Sequence, residues 1–400
     1  MGDGIERFLC LASDDTGHDF LRQCAEMGVR PTVLTVDALK LGAWPRDAVE
    51  DVATMPAGLT PDQILNTVSW MARGRRFDRI VALDEAEMET AARLREHLRV
   101  PGMGRTTNAY YCDRLAQRMS ARESGFLTPE FCPVLNYDEL RGFMERVPAP
   151  WLLRPRAKTA ALRMRRIADA EELWRTLDEL GDLQSRYLLE QQVDGDIFHV
   201  DALISECDVK FSMAHRHTVA ARTGRDAEIW TTQTLDRMGR EWMELTALNS
   251  GLAPSLGMVR GVTHARYLRG HGDGKYYFLE IAGGVAGTFT AQAVEAASGV
   301  NLWREWARLE VGWLRGETYV PQESYETHAG CVVSPSSTEP ELACFRAPEI
   351  EAWLKNGLYS GLLLRDGSLA RVGELLEQFS GELARRMTEP VAAPEQKSLF

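Results

Sequence analysis

The sequence predicts an α/β protein built from several lobes, and three observations carry that expectation. The first part of the chain alternates short apolar runs with segments apolar at helical spacing, the pattern of a doubly wound unit. The middle holds strand-like runs joined by turn residues and ends in a hairpin around His271-Gly272-Asp273-Gly274-Lys275. The chain has 400 residues, 44% of them hydrophobic, which is more than one core usually serves and enough to fill two to four.

Taken in order, Arg7–Ser13 is a strand ending in polar residues and Gly17, and Phe20–Met27 is apolar at helical spacing. Pro31–Asp37 and Phe77–Leu83 are further buried strands, separated by a helix over Pro61–Arg73. A ligand of such a unit sits at the carboxyl ends of its strands, near Ser13–His18 and Asp84–Glu87, and the absence of GxGxxG argues against a dinucleotide. Helices follow over Glu85–Arg99 and Cys112–Ser124, with Gly125 as a stop before extended Leu127–Val134. Trp151–Arg154 and Leu162–Ile167 read as strands, Ala170–Leu180 as a helix and Tyr187–Gln192 as a strand. Asp194-Gly195 turns into strand Ile197–Ser205, which pairs with Val209–His215. Thr218–Glu228 is polar and carries no clear pattern. Strand Ile229–Leu235, a helix from Arg240 to Gly251 and a hairpin of Gly261–Arg269 with Tyr276–Ala282 come next. Helices Thr290–Ser298 and Leu302–Leu314, strands Ala329–Val333 and Leu358–Leu364, and a helix over Ser368–Met387 complete the reading, with Ala392–Phe400 as a frayed tail.

Lys and Arg number 46 against 58 Asp and Glu, a net charge of −12 that disfavours nucleic acid or an anionic membrane as partner. No apolar run approaches the ~18 to 20 residues of a membrane helix, and the first residues lack a signal-peptide pattern, so the expected location is cytoplasmic. Seven cysteines with no CxxC or zinc-type spacing read as scattered thiols in a reducing compartment.

Four strings together resemble the ATP-grasp superfamily. They are Asp113-Arg114-Leu115-Ala116 with Ser124-Gly125-Phe126-Leu127-Thr128-Pro129, the strand WLLRPR from Trp151, the segment YLLEQQVDGDIFHVDAL from Tyr187, and the pair GVTHARYLR and YYFLEIAGGVAG. The resemblance covers about residues 1–320. It implies an N-terminal doubly wound pre-ATP-grasp domain (1–112), a small ATP-grasp lobe (113–190), a central lobe (191–315) and a C-terminal α+β region (316–400). It also implies a ligase that joins a carboxylate to an amine through an acyl-phosphate, converting ATP to ADP. Its partners would be small-molecule carboxylate and amine substrates, and homodimers are a family tendency.

The same resemblance assigns residues. Glu190, Gln191 and Val193, followed by Asp196, fall where adenine and ribose are held, and His199 follows on the next strand. Arg114 and Arg154 stand where the family usually has phosphate-binding lysines; guanidinium keeps the charge but changes the geometry. Lys158 lies in the covering loop, which here has no glycine. Glu280 matches one of the acids that hold Mg²⁺, while Arg266 stands at the other and Ala282 and Gly284 replace further polar positions. Counting outward from Asp273 places Arg266 opposite Glu280, so one metal ion or none is expected, with Arg266 able to supply positive charge itself. The alternative implied by these departures is a catalytically degenerate homologue that binds a nucleotide, a small molecule or a partner subunit. His199 and Asp201 share one strand face, and so do His264 and Arg266, so either histidine faces a ligand or packs as a hydrogen-bonded core residue. His215-Arg216-His217 at a strand end is a further candidate for substrate contact.

Overall fold

A computed structural model describes residues 4–157, 162–223, 227–335, 345–357 and 359–386. Near the N-terminus, β1 (Arg7–Ala12), β2 (Arg30–Val36), β3 (Asp51–Met55) and β4 (Arg79–Ala82) form a parallel sheet in the order β3-β2-β1-β4. Helices α1 (His18–Glu26), α2 (Pro61–Met71) and α3 (Met88–Leu98) cover it. The order reverses between β1 and β4, where open α/β sheets bind ligands. Here the Asp84 carboxylate links the two strand ends, accepting from the Ser13 and Asp14 backbone N–H groups at 2.6 and 3.2 Å, and caps the turn at Glu87. Asp15 is held by His18 at 2.8 Å.

After α4 (Arg105–Cys112), the Asp113 side chain caps α5 (Arg114–Glu123) by accepting from the Leu115 N–H. The second sheet is antiparallel, in the order β5-β8-β6-β7, from β5 (Phe131–Pro133), β6 (Trp151–Pro155), β7 (Arg165–Ile167) and β8 (Tyr187–Gln191). Helices α6 (Tyr137–Arg146) and α7 (Ala170–Leu180) pack Leu140, Phe143, Leu173 and Leu177 against Trp151, Leu153 and Leu189.

The largest sheet has eight strands in the order β13-β12-β9-β10-β11-β14-β16-β15. They are β9 (Gly195–Ser205), β10 (Asp208–Thr223), β11 (Ala227–Thr234), β12 (Arg260–Gly270), β13 (Tyr276–Gly283), β14 (His328–Pro335), β15 (Ile350–Asn356) and β16 (Tyr359–Asp366). One face carries α8 (Arg240–Ser255); α9 (Thr290–Ser298) and α10 (Leu302–Leu314) join the other to α1 and β1. Helix α11 (Leu369–Arg386) closes the β14–β16 end. A buried pair of Arg79 on β4 with Glu310 on α10 ties the first sheet to this layer.

The polar stretch Thr218–Glu228 is the far end of the β10–β11 hairpin, with Thr218 opposite Thr231; its tip, residues 224–226, lies outside the described residues. Gly195 must be glycine, because a Cβ there would stand 2.2 Å from the Arg269 carbonyl oxygen. No described helix is long and apolar enough to cross a membrane.

Candidate functional site

Helix α5 wedges between the second sheet and the eight-stranded sheet, and its residues 114, 117 and 118 share one face through the i, i+3, i+4 relation. Gln117 locks α5 to β13, donating to the Ile281 carbonyl at 2.7 Å and accepting from the Ile281 N–H at 3.2 Å. On either side of that lock stands an arginine–carboxylate–arginine ladder.

In the first ladder, Glu280 Oε2 accepts from Arg114 Nε at 2.8 Å and Oε1 from Arg266 Nη1 at 2.9 Å. Arg114 also donates to the Pro155 carbonyl of β6 at 2.9 Å. In the second, Glu190 lies between Arg118 Nε at 2.6 Å and Arg154 Nε at 3.0 Å, the latter an ion pair too poorly aligned for a hydrogen bond. Glu190 is 2% exposed and Arg118 wholly buried, and Arg118 also donates to the Leu279 carbonyl. Among the described residues of the two ladders, four guanidiniums against two carboxylates leave two positive charges at the junction of the sheets, a field that attracts an anion.

Arg266 does stand opposite Glu280 in the β12–β13 ladder. The route is not a simple hairpin count, since Arg269 pairs with Tyr276 near the turn and a bulge after Arg266 shifts the register by one residue. The expected metal position therefore offers one carboxylate with a guanidinium on each oxygen, and Ala282 adds no donor. That set does not suit Mg²⁺, which requires near-octahedral oxygen ligands.

The other assigned residues surround this junction. Residues 192–194 carry the chain from β8 in one sheet to β9 in the next. The Gln191 N–H is already spent on the Glu130 carbonyl at 2.8 Å, and Val193 is half-buried. Asp196 is exposed and lies 3.4 Å from His271. Lys158 falls outside the described residues. Gly283 and Gly284 line a cleft of about 300 Å³ together with Arg79, Met88, Thr107 and Glu310, with no side chain at 284 to grip a substrate.

On the same face of the large sheet, one step from the first ladder, lies a cluster of imidazoles. The register sets His199 opposite His215 and Asp201 opposite His264. Asp201 Oδ2 lies 3.2 Å from His199 Nδ1, and Oδ1 lies 3.0 Å from His264 Nδ1. His199 Nε2 meets Thr232 Oγ1 at 2.8 Å. Burial opposes ionisation of Asp201, yet the imidazoles, His264 foremost, hold its carboxyl well below the ordinary range. Burial, reinforced by His215, pushes His199 well down and keeps it uncharged.

Sequence reasoning missed Arg118, the most buried member of the ladders. Its signal was present: the polar stripe Arg114, Gln117, Arg118 on a helix whose partners are two sheets.

No family model matches the chain. It is 24% identical over 241 residues to the L-arginine-specific L-amino acid ligase of Bacillus subtilis, a match covering 59% of this chain and 58% of that one. The chain thus spans about three-fifths of the length of that curated relative. Among solved structures it is similar to the L-amino acid ligase of Bacillus licheniformis, with a TM-score of 0.74, 18% identity and coverage of 94% and 97% of the two chains. It is also similar to N5-carboxyaminoimidazole synthase of Aspergillus clavatus in complex with ADP (TM-score 0.72, 12% identity, 96% and 99% coverage). Biotin carboxylase of Campylobacter jejuni gives a TM-score of 0.70 at 10% identity, covering 96% and 95%. The parallel first sheet, the two antiparallel sheets joined through residues 192–194 and these full-length matches establish that the chain has the ATP-grasp fold.

Proposed function

We propose that the chain is an ATP-dependent ligase that joins a carboxylate to an amine, with L-amino acids as the substrate class. The observation that carries the reading is the pair of ladders. They place a surplus of two positive charges beside the segment 192–194, in a fold shared over nearly its full length with an L-amino acid ligase among others. In this reading residues 190–193 and Asp196 hold the adenosine, and Arg114, Arg154, Arg266 and Lys158 meet the phosphates.

A carboxylate oxygen attacks the γ-phosphorus of ATP, and the bond to the β,γ-bridging oxygen breaks, leaving ADP and an acyl-phosphate. The amine then attacks the acyl carbon, loses a proton and expels inorganic phosphate. Both steps develop negative charge on phosphoryl oxygens, and the guanidiniums anchored by Glu190 and Glu280 stabilise it. No step is routed through Mg²⁺, because the position that would hold it is filled by the Arg114–Glu280–Arg266 pairing.

That pairing also favours a second reading, a nucleotide-binding homologue without turnover. Calorimetric titration of ATP with and without Mg²⁺, followed by an ADP-release screen over pairs of L-amino acids, separates the two. ATP binding that persists in EDTA, with ADP release on adding amino acids, is the expected result. Binding with no release across the panel selects the second reading, and no ATP binding in either condition overturns both.

A further inference from the structure

The geometry points to a site for one divalent transition-metal ion of the zinc type, formed by His199, His215, His264 and Asp201, separate from Glu280. His199, Asp201 and His264 are the one group among the described residues whose ligating atoms could hold a metal, all lying within 4.8 Å of one another. The separations from Asp201 are close to those a shared ion requires. In a tetrahedron with bonds of about 2.0 to 2.1 Å, ligand atoms stand roughly 3.4 Å apart. Here Asp201 oxygens are 3.2, 3.0 and 3.6 Å from the Nδ1 atoms of His199, His264 and His215.

His215 supplies the independent observation. Its side chain is wholly buried, and neither ring nitrogen has a hydrogen-bond partner. A buried imidazole whose polar neighbour is one carboxylate oxygen at 3.6 Å recovers little of its lost hydration, which native interiors avoid. At 3.6 Å its Nδ1 is too far from Asp201 for a hydrogen bond and at the right distance for a neighbouring ligand on a shared ion. The ring stacks on His199 with centroids 4.5 Å apart, so both rings are fixed before any ion arrives. Thr232 holds the far nitrogen of His199, the orienting contact that metal-ligating histidines regularly make.

Chemistry selects the ion. Three imidazole nitrogens and one carboxylate suit zinc and its transition-metal neighbours, whereas Mg²⁺ and Ca²⁺ take oxygen. The wholly buried carboxylate of Asp201 also brings a negative charge to the cluster that a cation neutralises. His264, 21% exposed, is the open side through which an ion enters. Arg266, the next residue on that face, has its guanidinium drawn away to Glu280.

The test uses the full chain, stripped with chelator and titrated with Co²⁺ alone. Expected are one equivalent bound, the intense visible bands of four-coordinate Co²⁺, and their loss on adding one equivalent of Zn²⁺. His264→Gln and Asp201→Asn should each weaken binding by about tenfold or more. A folded wild-type chain that gives no such bands overturns the proposal, as does Co²⁺ binding that survives both cluster variants. If neither variant folds by circular dichroism, the wild-type stoichiometry and spectrum decide alone. No nucleotide is present, so the outcome is independent of the ligase reading.

Discussion

Replacing Arg266 by glutamate tests the first ladder most directly. In the wild-type chain Arg266 Nη1 covers one oxygen of Glu280 and Arg114 Nε the other. The substitution removes one guanidinium and sets a second carboxylate directly across the β12–β13 ladder. Two carboxylates about 4 Å apart repel by about 4 kcal/mol at an effective dielectric constant near 20. Position 266 is 37% exposed, so solvent and Arg114 reduce that to about 1 to 2 kcal/mol. Losing the Arg266–Glu280 pair adds up to about 1 kcal/mol. The variant should therefore be about 2 kcal/mol less stable without metal. Mg²⁺ at a hundred times its dissociation constant returns about 2.7 kcal/mol, a rise in Tm of about 5 °C at about 2 °C per kcal/mol. Thermal melts across a Mg²⁺ series and calorimetry measure this. A folded variant whose Tm responds to Mg²⁺ no more than wild type would refute the placing of a metal-type cradle between positions 266 and 280.

Three further outcomes follow from burial. Glu190→Gln leaves the buried guanidinium of Arg118 without its carboxylate and should cost about 3 kcal/mol, read from urea unfolding by tryptophan fluorescence; a loss below about 1 kcal/mol would mean the pair is already solvated. Gly195→Ala drives a Cβ into the Arg269 carbonyl and should destabilise the chain by about 1 to 3 kcal/mol, whereas Gly28→Ala, with open space around it, serves as the backbone-strain control. Glu310→Gln strands Arg79 between the first sheet and α10 and should cost about 3 kcal/mol, with hydrogen exchange accelerated on both sides of that contact.

The elements legible in the sequence are those whose burial is periodic. The strand of Arg7–Ala12 and the stripes of α1, α2 and α7 follow directly from apolar spacing. The four missed elements each lack that signal. Strands β3 and β15 are half-exposed sheet edges. Helix α4 is held by few groups, chiefly Tyr111, whose hydroxyl donates to the Ala253 carbonyl at 2.9 Å. Helix α6 opens on an Asn136 cap and buries only Leu140 and Phe143. The histidine cluster shows where one sequence stops. Alternation placed His199 with Asp201 and His264 with Arg266, but joining His215 to them depends on a bulge between Val209 and Phe211. An unbroken count from the Glu206-Cys207 turn would set Ala214 opposite His199; the extra residue brings His215 there instead. A bulge of one residue leaves no mark in composition or period, and it decides which side chain enters the site.

The charge balance argues for how the two readings of function divide. In the arrangement that the family resemblance implies, one dication against two carboxylates is neutral before the nucleotide binds. Here Arg266 against Glu280 is neutral as well, and Arg114 and Arg154 keep the charge of the lysines whose positions they occupy. An incoming polyphosphate therefore meets at least as much positive charge as it would with metal, so nucleotide affinity need not fall. The geometry differs more than the charge. A dication would supply mobile charge, whereas Arg118 is locked by Glu190 and a backbone carbonyl, and Arg114 by Glu280 and Pro155. Arg266, the most exposed of the four and held by a single hydrogen bond to Glu280, is the guanidinium free to follow a transferring phosphoryl group. Arg266→Ala should then lower kcat for ADP release more than it weakens ATP binding, and equal losses in both would show that Arg266 only neutralises charge in the ground state.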